Sequence, residues 1–337
     1  MKAVGYYRSL PIDQDEALID LEVEKPTPAG RDLLVKVEAV SVNPVDTKVR
    51  RRASGDKGAP KILGFDAAGM VVEIGPECSL FKPGDKVFYA GSIIRQGTNQ
   101  EFHLVDERIV GAMPKTLSFA EAAALPLTSI TAWEMLFDRL AIRIGKPADA
   151  GAILIIGGAG GVGSIAIQLA RRLTGLTIVT TASRPETRQW CLDLGAHHVV
   201  DHRQKLVDQV GALGMTDVEY IFSITNTDQH FAQIVELIAP QGKFGLIDDP
   251  PTLDALPFKR KAVSIHWESM FTRSMFKTPD MIAQHLLLNE VARLVDDGLI
   301  RTTLVETMGK INAANLRKAH ALIESGRAKG KVVLEGF

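Results

Sequence analysis

Short runs of alternating apolar and polar residues, separated by proline and glycine, fill the first 125 positions of the chain. The runs at 2–7, 33–42 and 67–74 are typical of strands, and turn signals such as Pro83-Gly84-Asp85 punctuate this region. This part of the chain is therefore predicted to be mostly β.

Helical spacing replaces this alternation from residue 118. Ser118 and Glu121 have the spacing of a capping box. Pro126 interrupts the alanine-rich continuation, so a second helix is predicted only from about 131 to 140.

From residue 151 the pattern alternates between apolar runs and helical segments, which implies a parallel sheet covered by helices on both faces. Strands are predicted at 153–156, 176–181, 197–200, 218–224, 242–247 and 262–266. Helices are predicted at 165–173, 185–194 and 231–238. The end of the chain adds two helices and a strand, at 281–297, 315–325 and 331–335.

A glycine-rich turn joins the first of these strands to its helix. Gly158, Gly160 and Gly163 fit the pattern G-x-G-x-x-G with a strand before it and a helix after it. Gly158 would permit the tight turn, Gly160 would let the backbone approach a pyrophosphate, and Gly163 would let helix and strand pack closely. The N–H groups at the helix start would then face the phosphates. This context favours dinucleotide binding over a tightly packed turn that binds nothing.

The end of the second strand indicates which dinucleotide is bound. NAD-selective folds carry an acidic residue there, whereas NADP-selective folds place an arginine near the 2′-phosphate. The stretch 180–185 contains no acid. Ser183, Arg184 and Arg188 offer hydrogen-bond donors instead, so NADPH is the predicted cofactor. Alternatively, both arginines are solvated residues at a helix start.

Composition limits the partners of the chain. Its 337 residues are enough for two domains, and the 46% that are hydrophobic can bury a sizeable core. With 39 basic and 40 acidic residues the formal charge is −1, which argues against nucleic acid and leaves a small-molecule substrate. The basic run 48–52 is interpreted as a solvated loop.

The chain also lacks the patterns of a secreted or membrane protein. No apolar run approaches the ~18 residues of a membrane span, and the start has no signal-peptide pattern. Cys78 and Cys191 are too few for a disulfide framework. A soluble protein in the reduced cytoplasm is expected.

With its motifs in this order, the whole chain resembles the medium-chain dehydrogenase/reductase family, and within it the quinone-oxidoreductase-like branch often labelled zinc-type alcohol dehydrogenase-like. Several motifs in one order are more specific than the glycine turn alone. The landmarks are Ser41-Val42-Asn43-Pro44-Val45-Asp46, Gly64-Phe65-Asp66-Ala67-Ala68-Gly69, Pro83-Gly84-Asp85-Lys86-Val87, the stretch 125–133 and the stretch 158–164.

The resemblance implies an α/β protein of two domains. A GroES-like (chaperonin-10-like) β-barrel catalytic domain would comprise 1–125 and 270–337, and a Rossmann domain with a doubly wound parallel sheet would comprise 126–269. Cofactor and substrate would bind in the cleft between them, and the protein would be a homodimer. Further cofactor contacts are expected at Thr131, Gly161, Val162, His202 and Lys331.

The resemblance also locates the positions at which zinc-containing members hold their catalytic metal. By spacing, the two cysteines and the histidine of those members fall on Asn43, Leu127 and Phe65. None of these side chains is a plausible zinc ligand. The region of the structural zinc lobe, 89–101, contains no cysteine.

Two histidines offer the only other metal-like spacing. His198 and His202 are four residues apart, which places side chains on one side only in a helix. They fall on a predicted strand and the turn beyond it. They are interpreted as ordinary strand-end histidines, and no metal site is predicted.

Without a Lewis acid, hydride transfer to a conjugated acceptor is better supported than oxidation of a simple alcohol. Asn43, Thr131 and Tyr89 are the candidate donors to the substrate oxygen. Asp46 and Asp66 are expected to order loops. Four further residues are interpreted either as pocket wall or lid, or as domain-interface core: Trp267, Met270, Phe271 and Phe276.

Three functions therefore remain open. The first is an NADPH-dependent, zinc-independent oxidoreductase acting on a quinone or an activated alkene or carbonyl. The second is a zinc-dependent alcohol dehydrogenase with unusual ligands. The third is a non-catalytic NADPH-binding protein, because the fold alone does not fix the function.

Overall fold

A computed structural model describes residues 1–55, 58–147 and 150–337. The chain divides into two compact units. Unit 1 consists of Met1–Ile130 together with Phe271–Phe337, and unit 2 consists of Thr131–Met270. Each unit has its own main sheet and its own hydrophobic core.

The strands of the described residues are numbered in chain order. Those that precede residue 150 are β1 Lys2–Tyr6, β2 Ile19–Glu22, β3 Asp32–Val42, β4 Lys61–Ile62, β5 Asp66–Ile74, β6 Lys86–Ala90, β7 Phe102–Asp106 and β8 Val110–Ala112. Those that follow are β9 Ala152–Ile156, β10 Thr177–Thr181, β11 His198–Val200, β12 Val218–Ser223, β13 Ile238–Leu246, β14 Ser264–Trp267, β15 Leu304–Thr307 and β16 Lys331–Glu335.

The α-helices are numbered in the same way: α1 Pro44–Arg52, α2 Phe119–Ala123, α3 Pro126–Trp133, α4 Gly161–Leu173, α5 Pro185–Asp193, α6 Leu206–Ala212, α7 Thr227–Leu237, α8 Thr272–Phe276, α9 Ala283–Asp296 and α10 Ala313–Glu324. A π-helix, Glu134–Arg139, continues α3. Among the described residues, none of the helices has the length and apolar character needed to cross a membrane.

Unit 1 is mostly β, as predicted, and is built around the long strand β3. Its main sheet has the order β15-β16-β3-β5-β6-β8, and β7 pairs with β3 as well. The first half of β3 pairs with β7 and the second half with β16, so β3 brings the last strand of the chain into the main sheet. A smaller sheet, β2-β1-β4, completes the unit.

Unit 2 is a parallel six-stranded sheet of the order β11-β10-β9-β12-β13-β14. Helices α4 to α7 connect successive strands from β9 to β13. Counted from β9, this is the strand order 3-2-1-4-5-6 of the Rossmann fold, and the order reverses between β9 and β12. The predicted α/β class and parallel sheet are confirmed.

The interpretation of residues 48–52 as a solvated loop is wrong, because they form the end of helix α1. The Asp46 carboxylate accepts a hydrogen bond from the Asn43 N–H (2.8 Å) at the start of this helix. Arg50 is fully buried and donates to the Glu324 carboxylate. That partner lies 274 positions away, so the local sequence gives no sign that Arg50 turns inward.

The second helix begins at Pro126 rather than near residue 131. Proline has no N–H group, and the first turn of a helix leaves its N–H groups without partners. Pro126 therefore starts the helix that it was expected to delay. The predicted strand at 262–266 begins slightly later, at Ser264.

A buried tyrosine–histidine pair lies inside unit 1. The His103 Nε2 atom is 3.0 Å from the Gln96 carbonyl oxygen, to which it donates, so Nδ1 accepts from the Tyr89 hydroxyl at 3.0 Å. Burial, with an opposing effect of the Gln96 hydrogen bond, lowers the pKa of His103 from 6.5 to about 4. The imidazole is therefore neutral in the folded protein at neutral pH.

This pair predicts a loss of stability in acid. Below pH 6.5 the unfolded chain protonates His103 while the folded chain does not, so unfolding is favoured until the pH reaches about 4. Between pH 7 and pH 5 we expect His103 to contribute about 2 kcal/mol of this loss. Urea unfolding at both pH values should show a smaller loss in His103→Gln than in the wild type. Equal losses would contradict this role.

Candidate active site

The glycine turn of unit 2 closely follows its predicted geometry, with one exchange of roles. Gly157, with φ +95°, takes the backbone conformation that makes the tight turn, not Gly158. A Cβ at Gly158 would lie 1.9 Å from Thr180 Oγ1, so Gly158 is needed for close approach to β10. A Cβ at Gly163 would lie 2.3 Å from the Gly157 carbonyl oxygen, so Gly163 permits close packing of α4 on the turn that follows β9.

Gly160 leaves space beside the start of α4. The nearest heavy atom that an added Cβ would meet is the Gly157 carbonyl oxygen at 3.7 Å, and Gly160 has an extended backbone that any residue can adopt. Gly161 and Val162 form the first turn of the helix and are half-buried. The open space at Gly160 and the N-terminus of α4 fit a pyrophosphate group.

Beyond β10 the structure separates the two predicted arginines. The Arg188 guanidinium donates to the backbone carbonyl oxygens of Val199 at 2.8 Å and Ala182 at 3.4 Å, which ties together the ends of β10 and β11. Arg184, half-buried beside Ser183, forms an ion pair with Glu186 at 3.1 Å. The structure thus gives Arg188 a role in holding the strands, whereas Arg184 remains beside the turn.

The other two predicted positions of unit 2 differ in exposure. Thr131 is buried near the end of α3, with 5% of its surface exposed. His202 is exposed in the loop after β11, and its pKa is lowered, mainly by desolvation. His198 lies on β11, so these two histidines lie on a strand and the turn beyond it, as predicted.

In unit 1, a fully buried carboxylate organises the other predicted site residues. Asp66 Oδ2 accepts hydrogen bonds from Ser41 Oγ at 2.8 Å, Asn43 Nδ2 at 2.7 Å and Lys331 Nζ at 3.0 Å. Its Oδ1 accepts from the Leu127 N–H at 2.7 Å. Four donors satisfy this acceptor-only group. They come from β3, the start of α1, α3 and β16, so Asp66 joins these elements and has a structural role.

The Lys331 ammonium is the positive charge of this cluster. Only 3% of its surface is exposed, and besides Asp66 it donates to the Asn43 side-chain oxygen and to the Val42 carbonyl oxygen at 3.1 Å. Its three hydrogens thus have three acceptors. Buried charges of this kind are tolerated only when they are paired and fully hydrogen-bonded.

The Asn43 amide is fixed by the same cluster. Its oxygen accepts from Lys331, and one N–H donates to Asp66. The second N–H reaches only the Ser41 carbonyl oxygen, in a long bond of 3.4 Å. If Asn43 donates to a ligand, this second hydrogen is the one that can be redirected.

Asp46 links α1 to the loop before β5. Its carboxyl accepts from the backbone N–H groups of Asn43 at 2.8 Å and Gly64 at 3.0 Å. Burial raises the pKa of Asp46 to about 7, against the lowering effects of these hydrogen bonds and of the Lys331 charge. The carboxyl thus orders two loops, as expected.

The positions where zinc would be held do not fit a metal. Phe65 is buried against Phe271, edge to face, with ring centroids 5.1 Å apart. Leu127 contributes its backbone N–H to Asp66 and has no ligand atom in its side chain. The Asn43 oxygen is already taken by an ammonium group. Across the described ranges, no group of three or more His, Cys, Asp or Glu residues could hold a metal ion.

Tyr89 is placed less favourably for catalysis than predicted. Its side chain is fully buried in the core of unit 1, and its hydroxyl donates to His103. Burial raises the pKa of this phenol. The hydroxyl therefore has a structural partner, and burial gives no support to a catalytic role.

The aromatic segment near residue 270 is mixed in exposure. Trp267 and Phe276 are 53% and 69% exposed, whereas Met270 and Phe271 are buried. Phe271 packs on Phe65, so its position is core. The exposed pair leaves the lid interpretation as a prediction.

Sequence reasoning missed one charged residue beside the predicted phosphate site. Arg203 donates from Nη2 to the Ser183 carbonyl oxygen at 3.0 Å and pairs with Asp201 at 2.7 Å. The spacing of an acid and an arginine two residues apart, directly after a strand, was the available signal.

The comparisons with known proteins agree with this architecture. The family model "Alcohol dehydrogenase GroES-like domain" matches residues 29–132, and the model "Zinc-binding dehydrogenase" matches residues 194–334. A Staphylococcus aureus protein named zinc-type alcohol dehydrogenase-like protein is 43% identical over 99% of each chain. The chain belongs to the medium-chain dehydrogenase/reductase family and is an oxidoreductase of that family.

Two further comparisons bear on the fold and the chemistry. A crystal structure from Rhizobium etli, provisionally described as a zinc-dependent alcohol dehydrogenase, is 63% identical with a TM-score of 0.96, and the match covers 100% of this chain and 98% of the other. A 2-methylene-furan-3-one reductase from Solanum lycopersicum is 36% identical over 61% of this chain and 53% of its own length.

Gly160→Val should abolish binding of the predicted cofactor, NADPH, without unfolding the protein. The added side chain enters space that is open in the structure, where the pyrophosphate is expected. Gly211→Val on α6, where an added Cβ meets nothing within 4 Å, is the matched control. Calorimetry should show no binding by the first variant and normal binding by the second. Near-normal affinity of folded Gly160→Val would exclude this turn as the phosphate site.

Lys331→Met should strongly destabilise unit 1. Removing the ammonium leaves Asp66 as a buried charge without its counterion, which costs about 3–5 kcal/mol in comparable cases. Lys318→Met, on the exposed side of α10, should change little. The free energy of unfolding of both variants measures the difference. A Lys331→Met protein as stable as the control would show that the ion pair is unimportant.

Proposed function

We propose that the protein is an NADPH-dependent, zinc-independent reductase of quinones or of activated alkenes and carbonyls, acting as a cytoplasmic homodimer. The observation that carries the proposal is the Asp66–Lys331–Asn43 cluster. It contains Asn43, one of the three positions where zinc-containing relatives are expected to hold their metal, and it accepts the N–H of a second, Leu127. All its charges and most of its hydrogen bonds are satisfied internally.

Two features of unit 2 support NADPH as the cofactor. The space beside Gly160 and the first turn of α4 suit a pyrophosphate. The turn after β10, which contains Ser183, has an arginine, and the stretch 180–185 has no acid. When bound, NADPH would supply the hydride. The residues of the chain would hold its phosphates and orient it.

The choice of substrate class follows from the hydrogen-bond donors of the site, which are neutral and polarise a substrate oxygen only weakly. The second N–H of Asn43 and the Thr131 hydroxyl are the proposed donors to the substrate oxygen. Neutral donors stabilise a charge best when it is spread over a conjugated system, as in a quinone or an enone. The 2-methylene-furan-3-one reductase supports this class, because its named substrate carries an alkene conjugated to a ketone.

In this proposal Asp66 and Lys331 are positioning residues. They hold the Asn43 amide in one orientation, with its oxygen toward the ammonium and its nitrogen toward the carboxylate. A simple alcohol would need a stronger electrophile at its oxygen than an amide N–H provides. Alcohol oxidation is therefore the least favoured reaction of this site.

A screen of acceptors tests the proposal. Purified full-length protein is mixed with NADPH or NADH and with quinones, enals and enones, and the loss of reduced cofactor is followed by absorbance. We expect turnover with NADPH and conjugated acceptors and little activity with ethanol-like alcohols and NADP. Turnover of the alcohols alone would favour the alcohol dehydrogenase, and binding of NADPH without any turnover would favour a non-catalytic protein.

A further inference from the structure

Arg203 connects the ends of two neighbouring strands of unit 2. It lies in the loop after β11, and its Nη2 donates to the carbonyl oxygen of Ser183 just beyond β10 at 3.0 Å. Its side chain is 65% exposed. An exposed guanidinium is thereby held at the turn that follows the second strand of a Rossmann sheet, which is where the adenosine ribose is recognised.

Asp201 fixes the orientation of this guanidinium. The carboxylate accepts from Nη2 at 2.7 Å, from Nε at 3.1 Å and from the Arg203 backbone N–H at 2.9 Å. Through these contacts Arg203 lowers the pKa of Asp201 to about 2. One side of the fork is taken by Asp201 and Ser183, and within the described part of the chain no hydrogen bond is recorded from Nη1.

The neighbouring charges suit an anion rather than a hydroxyl group. Arg184 lies on the same turn, whereas Arg188 is committed to backbone carbonyl oxygens. The Asp201 carboxylate accepts a hydrogen bond from Arg203, which also donates to the Ser183 carbonyl oxygen, so the arginine neutralises this acid. Glu186 pairs with Arg184 as Asp201 pairs with Arg203, so the exposed face presents two guanidinium groups that are each held by one carboxylate. A phosphate monoester is the group that two guanidinium forks bind best.

We propose that Arg203 is a specificity-determining residue that, with Ser183 and Arg184, binds the 2′-phosphate of NADPH, and that Asp201 is its positioning residue. This inference rests on the proposed function and deepens its cofactor choice. Arg203 would donate to the phosphate from Nη1, while its Nε and Nη2 atoms stay bonded to Asp201.

The same pair predicts what happens when the arginine is removed. In Arg203→Ala the Asp201 carboxylate loses its ion-pair partner, beside the turn that contains Ser183. A free carboxylate there repels a 2′-phosphate and can accept a hydrogen bond from a ribose 2′-hydroxyl, which is the chemistry of NAD selection. The variant should therefore lose NADPH and keep or gain affinity for NADH.

The experiment measures dissociation constants of NADPH, NADH and 2′-AMP by calorimetry for full-length variants. Arg203→Ala should weaken NADPH and 2′-AMP about tenfold to a hundredfold and leave NADH unchanged or tighter. The double variant Asp201→Asn with Arg203→Ala should recover part of the NADPH affinity, because the repelling charge is gone. Arg172→Ala, on the exposed side of α4, is the matched control and should bind like the wild type.

The outcomes separate this inference from the function on which it rests. Wild-type preference for NADPH with no selective loss in Arg203→Ala, or an equal loss for both cofactors, would overturn the role of Arg203 alone. Wild-type preference for NADH would overturn the proposed cofactor and this inference together.

Discussion

The buried ion pair between Asp66 and Lys331 is the constraint on which the organisation of unit 1 depends. It joins β5 to β16, strands whose paired residues lie 265 positions apart, and it draws Asn43 and the start of α3 into the same cluster. Two opposite charges in an interior are costly unless each is satisfied. Here every hydrogen of the ammonium and both oxygens of the carboxylate have partners, so the two charges are satisfied within the protein.

This arrangement also gives a physical account of how a family known for zinc can include a chain without its ligands. A metal ion and an ammonium group both neutralise a buried carboxylate, but only the metal has an open position for a substrate oxygen. All three hydrogens of the Lys331 ammonium are donated to acceptors within the protein. In the function we propose, the site would rely on weaker neutral donors, which suit acceptors that already share their charge over several atoms.

The sequence predicts the parts of the molecule that depend on local patterns. The glycine turn and the parallel sheet can be inferred from spacing and residue type, and the lack of zinc ligands at Asn43, Phe65 and Leu127 can be inferred from the resemblance to the family. The partners of Lys331 and Arg50 could not be predicted, because both contacts join distant positions and have no local signature. Even within the glycine turn, the spacing did not reveal which glycine takes the positive φ.

We propose that the buried Asp66–Lys331 pair, through its hydrogen bonds to Asn43, takes the place of a catalytic zinc. Elemental analysis tests it most directly, on full-length protein incubated with excess zinc and then dialysed, with reductase activity measured before and after a strong chelator. We expect well under one zinc per chain and activity that survives chelation. One zinc per chain, lost together with activity when the chelator is added, would contradict it.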